Sequence, residues 1–384
     1  MDLSALRIAL FSGNYNFVKD GANQALNRLV GYLLRQGAAV RVYSPTTDHP
    51  AFPATGDLVS APSIPLPGRG EYRFAFGMGY SAKRDLKRFD PNVIHVSAPD
   101  VLGHRAVSHA RWHNLPVVAS VHTRFETYPR YYNMAFLEPV LLAILRRFYR
   151  RCDALVAPSD SFAQVLREQR MNYDIGIWSR GIDHALWNPD RRDLEWRRAQ
   201  GIADDEVVVG FLGRIVMEKG LDVFAEAVER LAQKGVKHRV LVVGEGPARD
   251  WFQSRLPDAV FTGFQMGPDL ARAVASMDVF LNPSVTETFG NVSLESMACG
   301  VPVVAARAAG SEDIVQDGIT GLLVRPGAIE GYANALARLT RDADFRAQMG
   351  QAGIAEADQY EWDRINSAVA ETYLRVMRNR RRGR

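Results

Sequence analysis

The sequence predicts an α/β protein built from two parallel-sheet domains facing across a cleft. Three observations carry that prediction. At 384 residues the chain exceeds the size at which a single hydrophobic core usually stops growing. Short β-branched runs alternate with amphipathic stretches along its whole length, the pattern of repeated βαβ units. The strand runs are almost entirely apolar rather than alternating, as parallel strands covered by helices on both faces require.

In chain order, strands are expected at Arg7–Phe11, Val40–Tyr43, Val93–Val96, Val117–Val121 and Leu155–Ala157. The spacing Leu26, Leu29, Val30, Leu33, Leu34 predicts a helix between the first two. A second set of strands follows at Val207–Leu212, Val240–Val243, Val279–Leu281 and Val303–Ala305. Helices are expected at Val223–Gln233, Leu270–Met277, Val292–Cys299 and Tyr332–Leu339. Between the two sets lies Trp187-Asn188-Pro189-Asp190, a polar, proline-bearing stretch that places a linker near 184–200. The domains are therefore expected at 1–184 and 185–361, with a final helix at about 362–384 packing back on the first.

The composition, 47% hydrophobic and 23% charged, is that of a soluble globular protein. No apolar run approaches the ~20 residues of a membrane span. The N-terminus runs straight into a strand, without a basic region or cleavage site. Cys152 and Cys299 are far apart and lack metal-ligand spacing, so two free thiols in a reducing cytosol are expected. The net charge of +4 divides unevenly, +7 over residues 1–185 and −3 over the remainder, and six arginines crowd the last ten residues. A basic first half implies an anionic partner.

The most informative stretch is PSVTETFGNVSLESMACG, Pro283 to Gly300, in which Glu287 and Glu295 bracket a Gly290-Asn291 turn. A turn opening an apolar helix exposes backbone N–H groups that suit a diphosphate. Carboxylates beside a phosphate would repel it, so they are better read as acceptors for sugar hydroxyls. Phosphate on N–H groups and hydroxyls on carboxylates describe a nucleotide sugar. The plain alternative is an ordinary helix start, with Asn291 as N-cap and Glu295 in the first turn.

Other pieces point the same way. Arg214 and Lys219 follow a buried strand at its C-terminal end, where ligands bind in open α/β sheets. A planar fork and a point charge together suit a diphosphate. His122 ends a strand in PVVASVHTRFETYPRYY and faces the expected cleft. A dehydrogenase would need Gly-x-Gly-x-x-Gly after the first strand, and the chain has only Gly244-x-Gly246 followed by proline. The single Asp-x-Asp, Asp342 to Asp344, lies in a charged helical stretch and reads as a solvated face rather than a metal site. A nucleic-acid partner would explain the basic half but not the glutamate pair.

Taken in order, TETFGNVSLESMACGVPVVA at 286–305, Gly213-Arg214 with Glu218-Lys219-Gly220, VVGEGP at 242–247, AVFTGF at 259–264, Asp20-Gly21 and His122-Thr123 resemble a retaining glycosyltransferase of family 4. The resemblance covers essentially the whole chain and implies the GT-B fold, two Rossmann-like domains across a cleft. It implies that Arg214 and Lys219 clamp the donor diphosphate and Glu295 holds the ribose. Glu287 would contact the transferred sugar, and Phe289, Gly290 and Asn291 would offer backbone groups. The base would be read near Gly263-Phe264-Gln265, and Gly21 would let backbone approach the phosphates. Where many relatives read Gly-Gly this chain has Asp20-Gly21, so Asp20 is expected to cap the following helix or meet the acceptor. His122 would orient hydroxyls over the donor sugar. Arg124, Tyr128 and Arg130, with Tyr131 and Tyr132, would shape the acceptor or sugar pocket, and Arg124 or Arg130 could pair with an acidic sugar.

No cofactor and no metal are expected, since the leaving phosphate would take the acceptor proton while Arg214 and Lys219 stabilise its charge. The segment Leu137 to Arg151, LEPVLLAILRRFYRR, combines an apolar face with four arginines, and Lys83, Arg84, Lys87 and Arg88 add nearby charge. That pattern fits an anionic bilayer, hence a peripheral enzyme at the cytoplasmic membrane face acting on a lipid-linked acceptor. A soluble or polysaccharide acceptor is the alternative.

Overall fold

A computed structural model describes residues 2–18, 20–66, 69–124 and 134–382. The chain divides into two compact units, one formed by residues 1–180 with 362–384 and the other by 181–361.

The first unit is built on a seven-stranded parallel sheet. Its strands are β1 (Arg7–Phe11), β2 (Ala39–Ser44), β3 (Asp57–Ser60), β6 (Val93–Val96), β7 (Val117–Ser120), β8 (Ala154–Ala157) and β9 (Ile175–Ile177). Their order is β3-β2-β1-β6-β7-β8-β9. The intervening β4 (Ser63–Leu66) and β5 (Arg69–Ala75) form a separate antiparallel hairpin that the periodicity does not foretell. β1, β6, β7 and β8 are buried almost throughout, which explains their unbroken apolar character.

The last helix, Trp362–Arg382, belongs to this first unit. Its Tyr373 hydroxyl meets His95 Nδ1 at 2.7 Å, and Asn366 Oδ1 accepts from Trp178 Nε1 at 3.1 Å. Arg375 pairs with Asp174, and Arg380 with Asp153 at 2.8 Å. At least two of the clustered C-terminal arginines thus hold the helix in place rather than project as a basic tail.

The second unit carries β10 (Val208–Leu212), β11 (Arg239–Val243), β12 (Val260–Gly263), β13 (Val279–Asn282), β14 (Val303–Ala306) and β15 (Gly321–Val324). All are parallel, in the order β12-β11-β10-β13-β14-β15. This is the doubly wound arrangement, and the order reverses between β10 and β13. Apolar clusters cover both faces of the sheet, Phe224, Phe252 and Leu336 on one and Phe280, Met297 and Leu294 on the other.

The stretch expected to be a linker is instead built into this second unit. Arg197 is fully buried, donates to Asp278 at 3.0 Å, and holds the helix Leu194–Ala199 on the sheet. Trp187 is buried as well. A polar, proline-punctuated sequence looks like a linker because its burial depends on an ion pair 81 residues away.

Candidate functional site

In the second unit, the C-terminal ends of β10, β11 and β12 carry loops that interlock through their backbones. Gly213 N–H donates to Val243 O, Ile215 N–H to Glu245 O, and Gly244 N–H to Gly263 O, at 2.9–3.1 Å. Gly244 has φ +139°, and a Cβ there would lie 1.9 Å from Gly213 O. Only glycine allows the loops to close this tightly. The closure presents Arg214, whose carbonyl accepts from Val216 N–H at 3.0 Å while its exposed guanidinium makes no hydrogen bond among the described residues. Phe264, two-thirds exposed, stands just beyond β12.

Lys219 lies on the same loop, followed by Gly220 in a left-handed conformation and the helix Leu221–Gln233. Its Nζ donates to Glu287 Oε1 at 2.6 Å. Glu287 comes from the loop after β13, the strand across the switch point. The structure therefore joins two residues whose expected roles differ, one on the phosphate and one on the sugar. The loop is held by Asn282, whose Oδ1 accepts from Ser284 N–H and whose Nδ2 donates to Ser293 Oγ at 3.2 Å.

Gly290, at φ +93°, is the N-cap of the helix Asn291–Ala298, and no side chain caps it. Asn291 is thus the first helical residue rather than the N-cap that the plain alternative expects. Its Oδ1 is buried without a hydrogen-bond partner among the described residues. An uncapped helix start at a topological switch point leaves backbone N–H groups free to meet an anion. Glu295 is partly buried one turn into the helix, and burial pushes its carboxyl up to about 8. Phe289 is buried against Tyr360, so only its backbone can serve a ligand. Gly310 was not foreseen. A Cβ there would press on Phe289 N and Glu287 O at 2.8 and 2.9 Å, so this glycine fixes the loop from outside the motif.

In the first unit, Asp20 caps the helix Gly21–Arg35. Its Oδ1 accepts from Asn23 N–H at 2.8 Å and its Oδ2 from Asn23 Nδ2 at 3.0 Å. Of the two roles open to Asp20, capping is the one seen. Gly21 opens that helix at its first position. His122 lies just past β7, partly buried, with Arg180 Nη2 at 2.8 Å from its Nδ1. The ring meets Trp178 edge-on at 5.4 Å between centroids. Burial first, then the charges of Arg180 and His95, hold the imidazole well below its ordinary range. Arg124 follows on the same loop, partly buried. Tyr128 and Arg130, with Tyr131 and Tyr132, lie outside the described residues.

Asp342 serves as the N-cap of the helix Ala343–Ala357, accepting from Phe345 N–H at 2.9 Å. That gives the Asp-x-Asp a structural role for its first member. No helix among the described residues is long and apolar enough to cross a membrane.

Doubly wound sheets, with cations and an uncapped helix start at the switch point of the second, form the arrangement that an enzyme acting on a nucleotide-linked substrate would need. Residues 19–186 match the family model described as Glycosyltransferase Family 4, and residues 206–342 that described as Glycosyl transferases group 1. The chain is 33% identical to a GDP-mannose-dependent alpha-mannosyltransferase of Mycolicibacterium smegmatis, over 86% of this chain and 87% of that one. It is 31% identical to sulfoquinovosyl transferase SQD2 of Arabidopsis thaliana, over 93% and 71%. An alpha-monoglucosyldiacylglycerol synthase of Streptococcus pneumoniae shares 25% identity over 83% and 75%. Among solved structures, a sucrose-phosphate synthase from Thermosynechococcus elongatus has the same fold, with TM-score 0.78, 20% identity, and coverage of 97% and 99%. The chain belongs to glycosyltransferase family 4. It is a hexosyltransferase with the GT-B fold.

Proposed function

We propose that the enzyme moves a hexosyl group, with retention of anomeric configuration, from a UDP- or GDP-linked sugar to a hydroxyl of a lipid-linked acceptor. The observation that carries the donor half is the grouping of exposed Arg214, Lys219 paired to Glu287, and the uncapped helix start at Gly290. As the bond from the anomeric carbon to the phosphate oxygen breaks, negative charge grows on that oxygen. Arg214, Lys219 and the helix N–H groups stabilise it. The acceptor oxygen attacks the same face of an oxocarbenium-like sugar and its proton passes to the departing phosphate. Glu287 orients sugar hydroxyls and is not a covalent nucleophile. His122 supplies a hydrogen bond to the sugar or the acceptor. With two side-chain cations at the leaving group, the reaction needs no divalent metal.

Calorimetric titration with GDP and UDP in EDTA tests the donor site, with Glu295→Ala as control. GDP is the first nucleotide to try, since a mannosyltransferase relative is named for GDP-mannose. Metal-free binding of one nucleotide, weakened about tenfold or more in the variant, is the expected result. Binding of neither, or binding only with added magnesium, would refute it.

For the acceptor, the support is an exposed apolar face in the first unit. Phe136 (75% exposed), Val140 and Ile144 recur every four residues along the helix Glu138–Tyr149 and the turn before it. Tyr80 and Trp112 (87% exposed) add aromatic groups of the kind found at bilayer interfaces. Exposed Lys83, Arg84, Lys87 and Arg88 lie on the helix Gly79–Phe89 with Tyr80. The arginines of the 137–151 segment contribute less than their number implies. Arg146 and Arg150 donate to the carbonyls of Gln169 and Arg170, and Arg151 to Ser108 Oγ. The diacylglycerol in the name of the streptococcal relative favours a lipid acceptor. We therefore place the enzyme peripherally at the cytoplasmic membrane face. Sedimentation with anionic liposomes at low but not high salt is expected. No binding at low salt would remove the membrane reading.

A further inference from the structure

Arginine has only donors, and this fixes the proton on the neighbouring ring. Arg180 is 5% exposed, and its Nη1 donates to the carbonyls of Trp178 and Ser179 at 3.0 and 3.1 Å. Its guanidinium carbon sits 5.2 Å from the Trp178 ring centroid. A guanidinium anchored in this way cannot swing away from His122, and its Nη2 reaches Nδ1 at 2.8 Å. A hydrogen bond between these atoms requires a lone pair on Nδ1. Protonating Nδ1 would set N–H against N–H and one cation against another. The neutral ring must then carry its proton on Nε2.

We propose that Arg180 is a positioning residue that locks His122 as the neutral Nε2–H tautomer, so that this histidine can give a hydrogen bond to the substrate but cannot take a proton from it. Among the described residues, the charges of Arg180 and His95 both disfavour a protonated ring, and Trp178 meets its edge. His95 itself is enclosed by Ser120 Oγ and the Tyr373 hydroxyl. Asp20 lies close enough to offset part of the cost of burying Arg180. That gives the acidic residue in the first βα turn a purpose beyond its helix cap. The role of His122 in transfer rests on the function proposed above, whereas the tautomer does not.

Long-range ¹H–¹⁵N spectra of histidine-labelled enzyme, with His122 assigned by its loss in His122→Gln, read the tautomer directly. The wild-type ring should show protonated Nε2 and bare Nδ1, and stay neutral through the range where a free histidine titrates. Arg180→Glu should move the proton to Nδ1, since a carboxylate accepts. Arg180→Met should give a tautomer mixture and lower kcat about tenfold or more with KM changed less, and Arg180→Lys should recover part of the loss. An Nδ1–H or charged ring in the wild-type enzyme overturns the proposal, whether or not the variants fold. An Nε2–H ring in an enzyme whose kcat ignores both His122 and Arg180 would leave the lock standing and defeat the role given to His122.

Discussion

Replacing Glu295 by glutamine should stabilise the protein and weaken its donor site in one step. Glu295 sits in the helix Asn291–Ala298, and burial raises its carboxyl from an ordinary 4.5 to about 8. A folded-state pKa above the unfolded value means the folded state keeps a proton that the unfolded chain releases. Stability from this group is therefore full below about pH 4.5 and declines as pH rises towards 8. At pH 7 the loss is 1.36 kcal/mol for each of roughly 2.5 pH units, or about 3 kcal/mol. Glutamine has no proton to release, so Glu295→Gln should match the wild type within about 1 kcal/mol at pH 5 and exceed it by about 3 kcal/mol at pH 7. Urea unfolding at pH 5, 7 and 8.5 measures this gap. In the wild type, a ribose that needs the carboxylate finds about a tenth of it ionised at pH 7. Nucleotide affinity should then strengthen about tenfold as pH rises past 8, and stay weak and flat in the variant. A stability gap that does not change with pH, or wild-type affinity that is flat across that range, would refute the reasoning.

Three further outcomes follow from the geometry. Arg214→Ala removes an exposed guanidinium fork from the proposed phosphate site and should weaken nucleotide diphosphate binding about 10- to 100-fold with no loss of stability, seen by calorimetry and thermal melting. Gly244→Ala puts a methyl against Gly213 O and should cost about 3 kcal/mol or more, visible as a lowered unfolding midpoint and lost nucleotide binding. His95 is fully buried with its pKa lowered to about 3 by burial, so its contribution is complete above pH 6.5 and is lost as pH falls towards 3. At pH 5 that loss is about 2 kcal/mol, and His95→Gln should flatten the acid limb of a stability-against-pH curve.

The central strands were legible because burial on both faces leaves an uninterrupted apolar run, as in Val93–Val96 and Val303–Ala306. The edge strands β3, β9, β12 and β15 were not, because runs such as Asp57–Ser60 and Ile175–Ile177 are short and carry glycine or polar residues. In the proposed donor site, the glutamate pair, Arg214 and Lys219 stand out in sequence through their order along the chain. The Lys219–Glu287 pair could not, since it depends on β10 and β13 lying side by side while 68 residues separate the partners. Arg180 escaped notice for the same reason. Only the order β7-β8-β9 brings the end of a strand near residue 177 to the edge where His122 emerges. Non-local contacts of this kind leave no periodicity to detect.

The place of the final helix has a consequence for biosynthesis. The first unit needs Trp362–Arg382 to complete His95, Trp178, Asp174 and Asp153, yet those residues leave the ribosome only after the whole of the second unit. The second unit, residues 181–361, is continuous in sequence and can close while the first still lacks a wall. During synthesis the nascent first unit therefore waits, with part of its sheet uncovered, for the whole of the second to be made. A nonsense mutation near residue 362 would spare the second unit and leave the first without the helix Trp362–Arg382. Proteolytic sensitivity of such a chain should be confined to residues 1–180.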